Sequence, residues 1–174
     1  VIGSKIYVLF GNAPKLSSTL VFASMNADGS DWKILKTIGN NDMGQPFALF
    51  QINNGIVYFT YSRKNRPDGP SYLWSARMDV NGAHFNSIQR TFSGLLSRSA
   101  YVQVVGRHVY YAYEVRLPKP KKNLNFGPGV WSYWFAESSL DGSGWTTQRL
   151  YAAHGAGVAP LYKGVQIVGG KTYL

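Results

Sequence analysis

The stretch Val130 to Tyr151, VWSYWFAESSLDGSGWTTQRLY, occurs in outline at two earlier places in the chain. It alternates apolar and polar residues, passes through a tight Asp-Gly-Ser-Gly turn at 141–144 and starts a second alternating run at Trp145, a pattern that predicts an antiparallel hairpin. The earlier copies are STLVFASMNADGSDWKILKTI at 18–38 and SYLWSARMDVNGAHFNSIQRTF at 71–92. In each copy Asp or Asn precedes a glycine, and an aromatic residue follows three residues after that glycine. The chain is therefore a tandem repeat of one hairpin unit.

Two further apolar segments lie between successive hairpins, so each repeat predicts four strands, which we label A to D. The A segments precede a Gly-centred turn, the Tyr-rich B segments follow it, and C and D form the hairpin; A is predicted at 46–52, 100–105 and 158–168, and B at 56–61, 109–115 and 172–174. The aromatic residues that open D lie 53 and then 60 residues apart (85 minus 32, 145 minus 85). Four antiparallel strands at such a period predict an all-β fold, a β-propeller of four-stranded blades, with a β-sandwich as the alternative.

The repeat divides the chain, as a single propeller segment spanning 1–174, into units of approximately 1–45, 46–99 and 100–157, with 158–174 starting a further blade. The first ten residues match the junction between A and B, and so does the segment VGGKTYL at 168–174. Propellers usually close with four to eight blades. About three blades therefore predict either a part of a longer propeller or a homo-oligomer, in the simplest case a dimer that forms a six-bladed ring.

The charge balance is strongly basic: 18 Lys and Arg against 8 Asp and Glu give a net charge of +10 and a pI near 9.8. Such a chain is attracted to anionic surfaces, whether acidic glycan, nucleic acid or phospholipid headgroup, and composition does not choose among them. The absence of cysteine excludes a disulfide framework and thiolate metal sites. The three histidines are far apart in sequence, so we predict no metal site and no cofactor, and no run of residues is apolar enough to predict a membrane span.

The C–D turns resemble the Asp-box, or BNR, repeat of sialidase-like propellers, whose pattern is roughly Ser-x-Asp-x-Gly-x-Thr-Trp. The matching segments are 24–32 and 138–145, and the middle copy at 81–85 has Asn-Gly and Phe in place of Asp-Gly and Trp. All three are one residue shorter between the acid and the aromatic residue than the usual box. The resemblance implies a protein related to sialidases, other glycosidases or carbohydrate-binding propellers, with an extracellular or cell-surface location.

The Asp or Asn that starts each turn has a structural explanation. Asp28, Asn81 and Asp141 are expected to accept backbone N–H bonds across the turn, while the following glycine takes the left-handed conformation. We therefore predict a fold-stabilising role for all three, and in the resembled family these boxes lie on the face opposite the active site. Core packing between sheets is predicted for the large aromatic residues of the strands, namely Trp32, Trp145, Tyr58, Tyr110 and Phe135.

The candidate binding residues come from the predicted B–C loops, which in a propeller share one face with the D–A loops. These loops, 11–17, 63–70 and 116–129, are rich in Lys and Arg and grow longer along the chain. A rim of cations focuses a positive potential, and neighbouring aromatic rings stack on a sugar or a base; the alternative is that the loops are only solvated. The candidate ligand-binding residues are Arg63, Lys64, Arg66, Arg116, Lys119, Lys121, Lys122, Trp131, Tyr133 and Trp134.

Few acidic residues are available for catalysis. Four of the eight lie at or beside the C–D turns, and Asp42 and Asp68 are the loop acids predicted on the binding face, which makes them weak catalytic candidates. The resemblance implies a Tyr nucleophile with a Glu partner, an Asp and an arginine cluster. Tyr113 and Glu114 imitate the first pair, but adjacent strand residues point to opposite faces. For Glu114, near the end of a B strand, and Glu137, within a C strand, a salt bridge to Arg116 or Arg77 is expected.

Because no complete catalytic set is found, the predicted function is a non-catalytic propeller module that binds a polar, anionic ligand on the B–C/D–A face. The resemblance makes carbohydrate the favoured ligand. Two alternatives from other classes stay open: a part of a sialidase-like glycoside hydrolase, and a scaffold for nucleic acid or protein. A designed or truncated repeat without a ligand is a further alternative.

Overall fold

The computed structural model describes residues 3–12, 18–43, 50–64, 71–91, 96–117, 130–152, 166–168 and 171–173. Every element in these ranges is a strand. In chain order they are β1 (Lys5–Asn12), β2 (Ser18–Asn26), β3 (Lys33–Met43), β4 (Phe50–Asn53), β5 (Ile56–Lys64), β6 (Ser71–Asp79), β7 (Asn86–Gln89), β8 (Leu96–Val105), β9 (His108–Leu117), β10 (Val130–Ser139), β11 (Thr146–Ala152), β12 (Gln166–Val168) and β13 (Lys171–Tyr173).

The strands form antiparallel meanders in sequence order, which we call blades. The first blade is β1–β3, the second is β4–β7 and the third is β8–β11, while β12 and β13 form a separate hairpin. A single pairing of Met43 with Arg63 joins the first two blades into one sheet. The observed order corresponds to the predicted A to D strands, and the all-β class with about three blades is confirmed. The predicted segments at 46–49 and 158–165 lie outside the described residues.

The second blade is buried on both faces because its strands carry apolar residues at both alternating positions. On one side Phe59 and Tyr61 belong to a cluster shared with Leu20 and Phe22 of the first blade. On the other side Tyr58 joins a cluster formed with the third blade, whose members include Tyr111, Tyr113 and Val115. Complete burial of a side chain such as Phe59 contributes about 1.5 to 3 kcal/mol, so these two clusters hold the three blades face to face.

The three C–D turns have the same backbone geometry. Their glycines lie at φ 86°, 84° and 87°, and the residue two positions later also has positive φ, at 56° for Asp31, 48° for His84 and 63° for Gly144. In each turn the Asp or Asn Oδ1 accepts a hydrogen bond of 2.9 Å from the backbone N–H two residues on. A backbone bond of 2.8 to 2.9 Å closes each turn from the strand end, as from Asn26 N to Ser30 O. The repeat in sequence is therefore a repeat in conformation.

The turn hydrogen bonds lower the pKa of the two aspartates that accept them. Hydrogen bonds from the side chain and backbone of Ser30 hold the pKa of Asp28 below its ordinary value of 3.8, and Ser143 does the same for Asp141. Both carboxylates also accept a 2.7 Å bond from the serine hydroxyl. Because the pKa is lower in the folded chain, the charged carboxylate stabilises the fold at any pH above the ordinary pKa. This contribution is lost as the pH falls through the lowered pKa.

Each turn after the first docks on the blade that precedes it. A Cβ added to Gly82 would lie 2.5 Å from the backbone oxygen of Leu35, and one added to Gly142 would lie 3.2 Å from both Arg90 Nη2 and Ile88 Cδ1. The equivalent position in the first blade, Gly29, has nothing within 4 Å. The glycines at 82 and 142 thus serve a close approach between blades as well as a left-handed turn.

Arg90 ties the second blade to the third. Its Nε donates to Ser75 Oγ at 2.7 Å and its Nη2 donates to the backbone oxygen of Gly142 at 2.7 Å. The guanidinium lies 4.3 Å from the ring centroid of Trp145, within cation–π range. Burial lowers the pKa of Arg90 from its ordinary value, and Tyr111 opposes that shift. A guanidinium satisfies both acceptors at once because its N–H donors form a rigid fork.

Trp32 differs from the prediction that it packs in a core. Its side chain is 52% exposed, and its neighbour two residues on, Ile34, is 57% exposed. The equivalent aromatic residues, Phe85 and Trp145, receive Lys36 and Arg90 from the preceding blade. Among the described residues no blade precedes the first one, so Trp32 has only Phe10 of its own blade beside it, with the ring centroids 6.2 Å apart.

Alanine at the three turn glycines provides a graded test of blade docking. We expect Gly29→Ala to lower the free energy of unfolding by about 1 to 2 kcal/mol, the cost of left-handed backbone for a residue with Cβ. Gly82→Ala adds a backbone clash and is expected to cost about 1 to 3 kcal/mol more, with Gly142→Ala between them. Urea unfolding curves measure the order, and equal losses in all three variants would show that the turns do not press on the preceding blade.

Arg90→Lys tests the tie between the second and third blades. It keeps the charge but loses the fork, so we expect the free energy of unfolding to fall by about 1.5 to 3 kcal/mol, the range for hydrogen bonds to charged groups. Arg149→Lys is the matched control, since Arg149 is exposed on β11, and its change should stay within about 0.5 kcal/mol. A loss for Arg90→Lys as small as that of the control would contradict the assignment.

Candidate functional site

The strand order shows which segments form the predicted binding face. Residues 13–17, 65–70 and 118–129 connect B to C strands, and residues 44–49, 92–95 and 153–165 connect D to A strands. All six segments lie outside the described residues. The candidates Arg66, Asp68, Lys119, Lys121 and Lys122 therefore receive no structural description, and their roles stay predictions.

Two pairs of strand ends lie at this face, one formed by β3 and β5 and the other by β9 and β10. The pairing of Met43 with Arg63 brings the end of β3, with Asp42, to the end of β5. Trp131 at the start of β10 pairs with Arg116 near the end of β9. For Asp42, Arg116 and Trp131 the structure describes the backbone position alone. The chain thus brings the predicted loop-face positions to one end of the blades.

A stack of two rings and a cation occupies the loop-face end of the second blade. The guanidinium carbon of Arg63 lies 5.5 Å from the ring centroid of Trp74. Tyr61 stacks on the same indole with centroids 6.3 Å apart and planes 14° apart. Arg63 and Tyr61 point to one side because they are two residues apart on β5. Lys64 follows Arg63 at the end of the strand and is half-buried.

The indole N–H of Trp74 is a polar group without an acceptor among the described residues, although the atom is buried. The equivalent residue in the third blade, Trp134, donates from Nε1 to Ser132 Oγ at 2.9 Å. In the second blade Tyr72 takes the place of that serine. A buried donor left unpaired costs about 1 to 3 kcal/mol, a cost that the Trp134–Ser132 hydrogen bond avoids in the third blade.

The two described aromatic candidates of the third blade are less exposed than a binding rim requires. Tyr133 is only 6% exposed. Trp134 is half-buried and packs against the cluster between the second and third blades. As adjacent residues of β10, these two rings point to opposite faces of the strand, and both pack against other residues of the protein. Tyr133 therefore presents little surface to a ligand, and the exposed part of Trp134 stays a predicted stacking surface.

Most described carboxylates are engaged at the end of the blades away from the loop face. Asp28 and Asp141 accept the turn hydrogen bonds. The side-chain pairs there join Lys5 to Asp31 at 3.4 Å, His84 to Asp79 at 2.6 Å, and His108 to Glu137 at 2.6 Å. The expected partner of Glu137 was an arginine. His108 takes that place because it pairs with Ser139, which lies two residues after Glu137 on the same face of β10.

The Tyr-Glu pair considered from the sequence is not arranged for catalysis. Tyr113 is 3% exposed and packs against Trp145 with ring centroids 6.4 Å apart. Burial raises the pKa of Tyr113 to about 12, which keeps the phenol protonated at neutral pH and weakens it as a nucleophile. No group of three potential metal ligands occurs among the described side chains. The part of the chain that the structure describes also contains no helix able to cross a membrane.

Comparison with known proteins supports the fold. No protein-family model and no curated protein matches the sequence. Two solved structures are similar, an α-L-arabinofuranosidase from Fusarium graminearum in complex with an iminosugar inhibitor and the GH93 α-L-arabinofuranosidase of Fusarium graminearum with arabinobiose. Each has a TM-score of 0.59 at 10% identity, over 84% of this chain and 45% of the other.

The chain therefore spans about half the length of the structures it matches. Both are β-propellers. The propeller prediction is confirmed, and the alternative of a β-sandwich is not adopted. At this identity the likeness concerns the fold alone, so the site has to be argued from the chain's own residues.

Proposed function

We propose that this chain is a non-catalytic propeller module that binds an anionic carbohydrate on its B–C/D–A loop face. The observation that carries the proposal is the guanidinium of Arg63 over the half-buried ring of Trp74 at the loop-face end of the second blade, with the buried Tyr61 stacked beside the indole. Aromatic faces take up the apolar side of a sugar ring, and a guanidinium pairs with a carboxylate or sulfate through two parallel hydrogen bonds. The two kinds of group lie together where β5 enters the loop.

Charge supports an anionic ligand. The net charge is +10, and the long segment between β9 and β10 contributes Lys119, Lys121 and Lys122 to the proposed rim. Clustered cations attract an anion over roughly a Debye length, about 8 Å at physiological ionic strength. Arg116 and Trp131, paired at the base of this segment, complete the proposed surface with Arg66 from the preceding loop.

The contacts of the acidic residues support binding without catalysis. Of the eight acids in the chain, five have described partners at the turn end of the blades. Hydrolysis of a glycoside usually needs two positioned carboxylates. Asp42 was predicted in a loop but lies in β3, next to its last residue, and Asp68 lies on the 65–70 segment; these two are the weak candidates already named.

A glycoside hydrolase is the second candidate function, because both similar solved structures are arabinofuranosidases. In this alternative the chain is a part of a larger enzyme, sialidase-like by the Asp-box resemblance, and further carboxylates come from other blades. The resemblance of the C–D turns and an extracellular or cell-surface location belong to the same proposal. Asp42 and Asp68 then act as catalytic carboxylates.

We also propose that a second copy of the chain covers the exposed face of the first blade. Phe10, Trp32 and Ile34 are 38%, 52% and 57% exposed there. At both internal junctions a cation of the preceding blade covers the equivalent aromatic residue. The outer face of the third blade offers Tyr110 stacked on Phe135, with ring centroids 5.7 Å apart, so the same kind of junction between copies would close a six-bladed ring.

Removal of the loop charges tests the ligand. We expect the triple variant Lys119→Ala, Lys121→Ala and Lys122→Ala to bind immobilised heparin and sialylated glycans about tenfold more weakly. Three exposed pairs at roughly 0.5 kcal/mol each amount to about 1.5 kcal/mol, and a tenfold change in affinity is about 1.4 kcal/mol. The matched control is Lys33→Ala, Arg107→Ala and Arg149→Ala, which removes three exposed charges outside the loop segments. Affinities are measured by glycan array and surface plasmon resonance.

Unchanged binding by the loop variant would remove the rim from the proposal. If the chain binds nucleic acid as tightly as glycans, with steep salt dependence and no selectivity among sugars, the result would favour the scaffold alternative. Hydrolysis of a chromogenic sialoside or arabinofuranoside that Asp42→Ala or Asp68→Ala abolishes would show an enzyme instead of a binding module.

Particle mass tests the assembly. Light scattering at low and high salt should give a mass near twice the 19.3 kDa of the chain. Substituting Trp32→Lys together with Ile34→Lys should give the monomer, because two charges replace exposed apolar contacts. A monomer of the unaltered chain at all accessible concentrations would contradict the dimer and favour a longer propeller of which these blades are a part.

A further inference from the structure

The two internal blade junctions use equivalent positions but fill them differently. Ile38 pairs with Leu20 of the first blade. Arg90 donates its backbone N–H to Leu73 of the second blade. Leu20 and Leu73 both lie six residues before the end of their C strands (26 minus 20, 79 minus 73). Ile38 therefore takes the place in the first junction that Arg90 takes in the second.

The second junction is filled by large groups. Arg90 covers Trp145 and bonds to Gly142, and a small cavity of about 20 Å³ lies on the turn side of Arg90, beside Leu140, Asp141 and Gly142. In the first junction both large groups are replaced by smaller ones, isoleucine for arginine and Phe85 for tryptophan. A cleft of about 220 Å³ opens at that place. The smaller side chains at these two positions leave room for the cleft, and the β2–β3 pairing beside it also carries a register shift that the β6–β7 pairing lacks.

The lining of this cleft has a definite chemical character. Lys36 lies with its Nζ 5.7 Å from the centroid of Phe85, and Arg63 lines the cleft from β5. The described lining residues include these two cations and no carboxylate. Hydroxyl groups are supplied by Tyr61 and Ser87. Cations beside aromatic faces and hydroxyls suit a ligand that has a negative charge, a ring face and hydroxyl groups of its own.

The volume limits the ligand to one ring. Pockets for drug-sized ligands measure about 300 to 1,000 Å³, so a cleft of about 220 Å³ suits a smaller ligand such as one monosaccharide unit. We propose that the cleft between the first and second blades binds a single sugar unit that carries a carboxylate or a sulfate. Lys36 pairs with the anionic group, and Phe85 packs against the sugar ring.

This site goes beyond the proposed loop-face function. The cleft is lined by β3, β5 and the start of β7, whereas the proposed rim depends on the segments at 65–70 and 118–129. Arg63 belongs to both surfaces, so the experiment uses Lys36 and Phe85, which belong only to the cleft. The triple lysine variant of the 118–129 segment then separates the two sites.

The test is isothermal titration with D-glucuronate, glucose 6-sulfate, inorganic sulfate and neutral D-glucose. We expect at least one acidic sugar to bind more tightly than inorganic sulfate and neutral glucose. Lys36→Met, which removes the charge but keeps most of the stem, should weaken that binding about tenfold. Phe85→Trp introduces the residue already present at both equivalent positions, Trp32 and Trp145, and should weaken it at least as much by filling the cleft.

Lys33→Met is the matched control, because Lys33 is exposed on the same strand and loses the same charge outside the cleft. Its affinity, and that of the triple lysine variant, should equal the affinity of the unaltered chain. Thermal melting identifies a variant that fails to fold, and the other variant then decides. The site is overturned if neither acidic sugar binds, or if glucose or inorganic sulfate binds as tightly as the acidic sugars. It is also overturned if neither Lys36→Met nor Phe85→Trp changes the affinity, or if Lys33→Met weakens binding as much as Lys36→Met.

Discussion

The structure depends on one contact that recurs at both internal blade junctions: the aromatic residue after the second and the third hairpin turn packs on the preceding blade beneath a cation. Lys36 covers Phe85 at the first junction and Arg90 covers Trp145 at the second. The contact needs the turn to approach the neighbouring strand closely, which explains why Gly82 leaves no space for a Cβ. The same requirement applies at Gly142, where an added Cβ would meet Arg90 and Ile88 of the preceding blade.

Much of the fold could be predicted from the sequence because its determinants are local. The Asp-Gly and Asn-Gly turns, the aromatic residue three positions later and the alternation of the strands are each visible within about ten residues. The contacts of Arg90 could not be predicted in this way, since its acceptor at Gly142 lies 52 residues further on. The exposure of Trp32 was missed because its sequence neighbourhood equals that of Trp145 and only a neighbouring blade distinguishes them.

The candidate site was predictable in part for the same reason. The basic character of the loops and the position of Arg63 at the end of β5 follow from the repeat. The ring stack of Tyr61 and Trp74 depends on the cross-strand register, in which these two residues pair directly. The cleft depends on a comparison between two junctions, and neither Ile38 nor Phe85 is unusual when its own strand is considered alone.

The burial of the second blade on both faces has a consequence for cooperativity. Each blade contacts mainly its neighbours in sequence, so stability approximates a sum of blade terms and junction terms, as in other repeat proteins. The first and third blades each have one internal junction, whereas the second blade has two, through the clusters around Phe59 and Tyr111. Amide groups of β5 and β6 can exchange with solvent through local opening only after a junction has separated, which makes the middle of the segment its slowest-exchanging part.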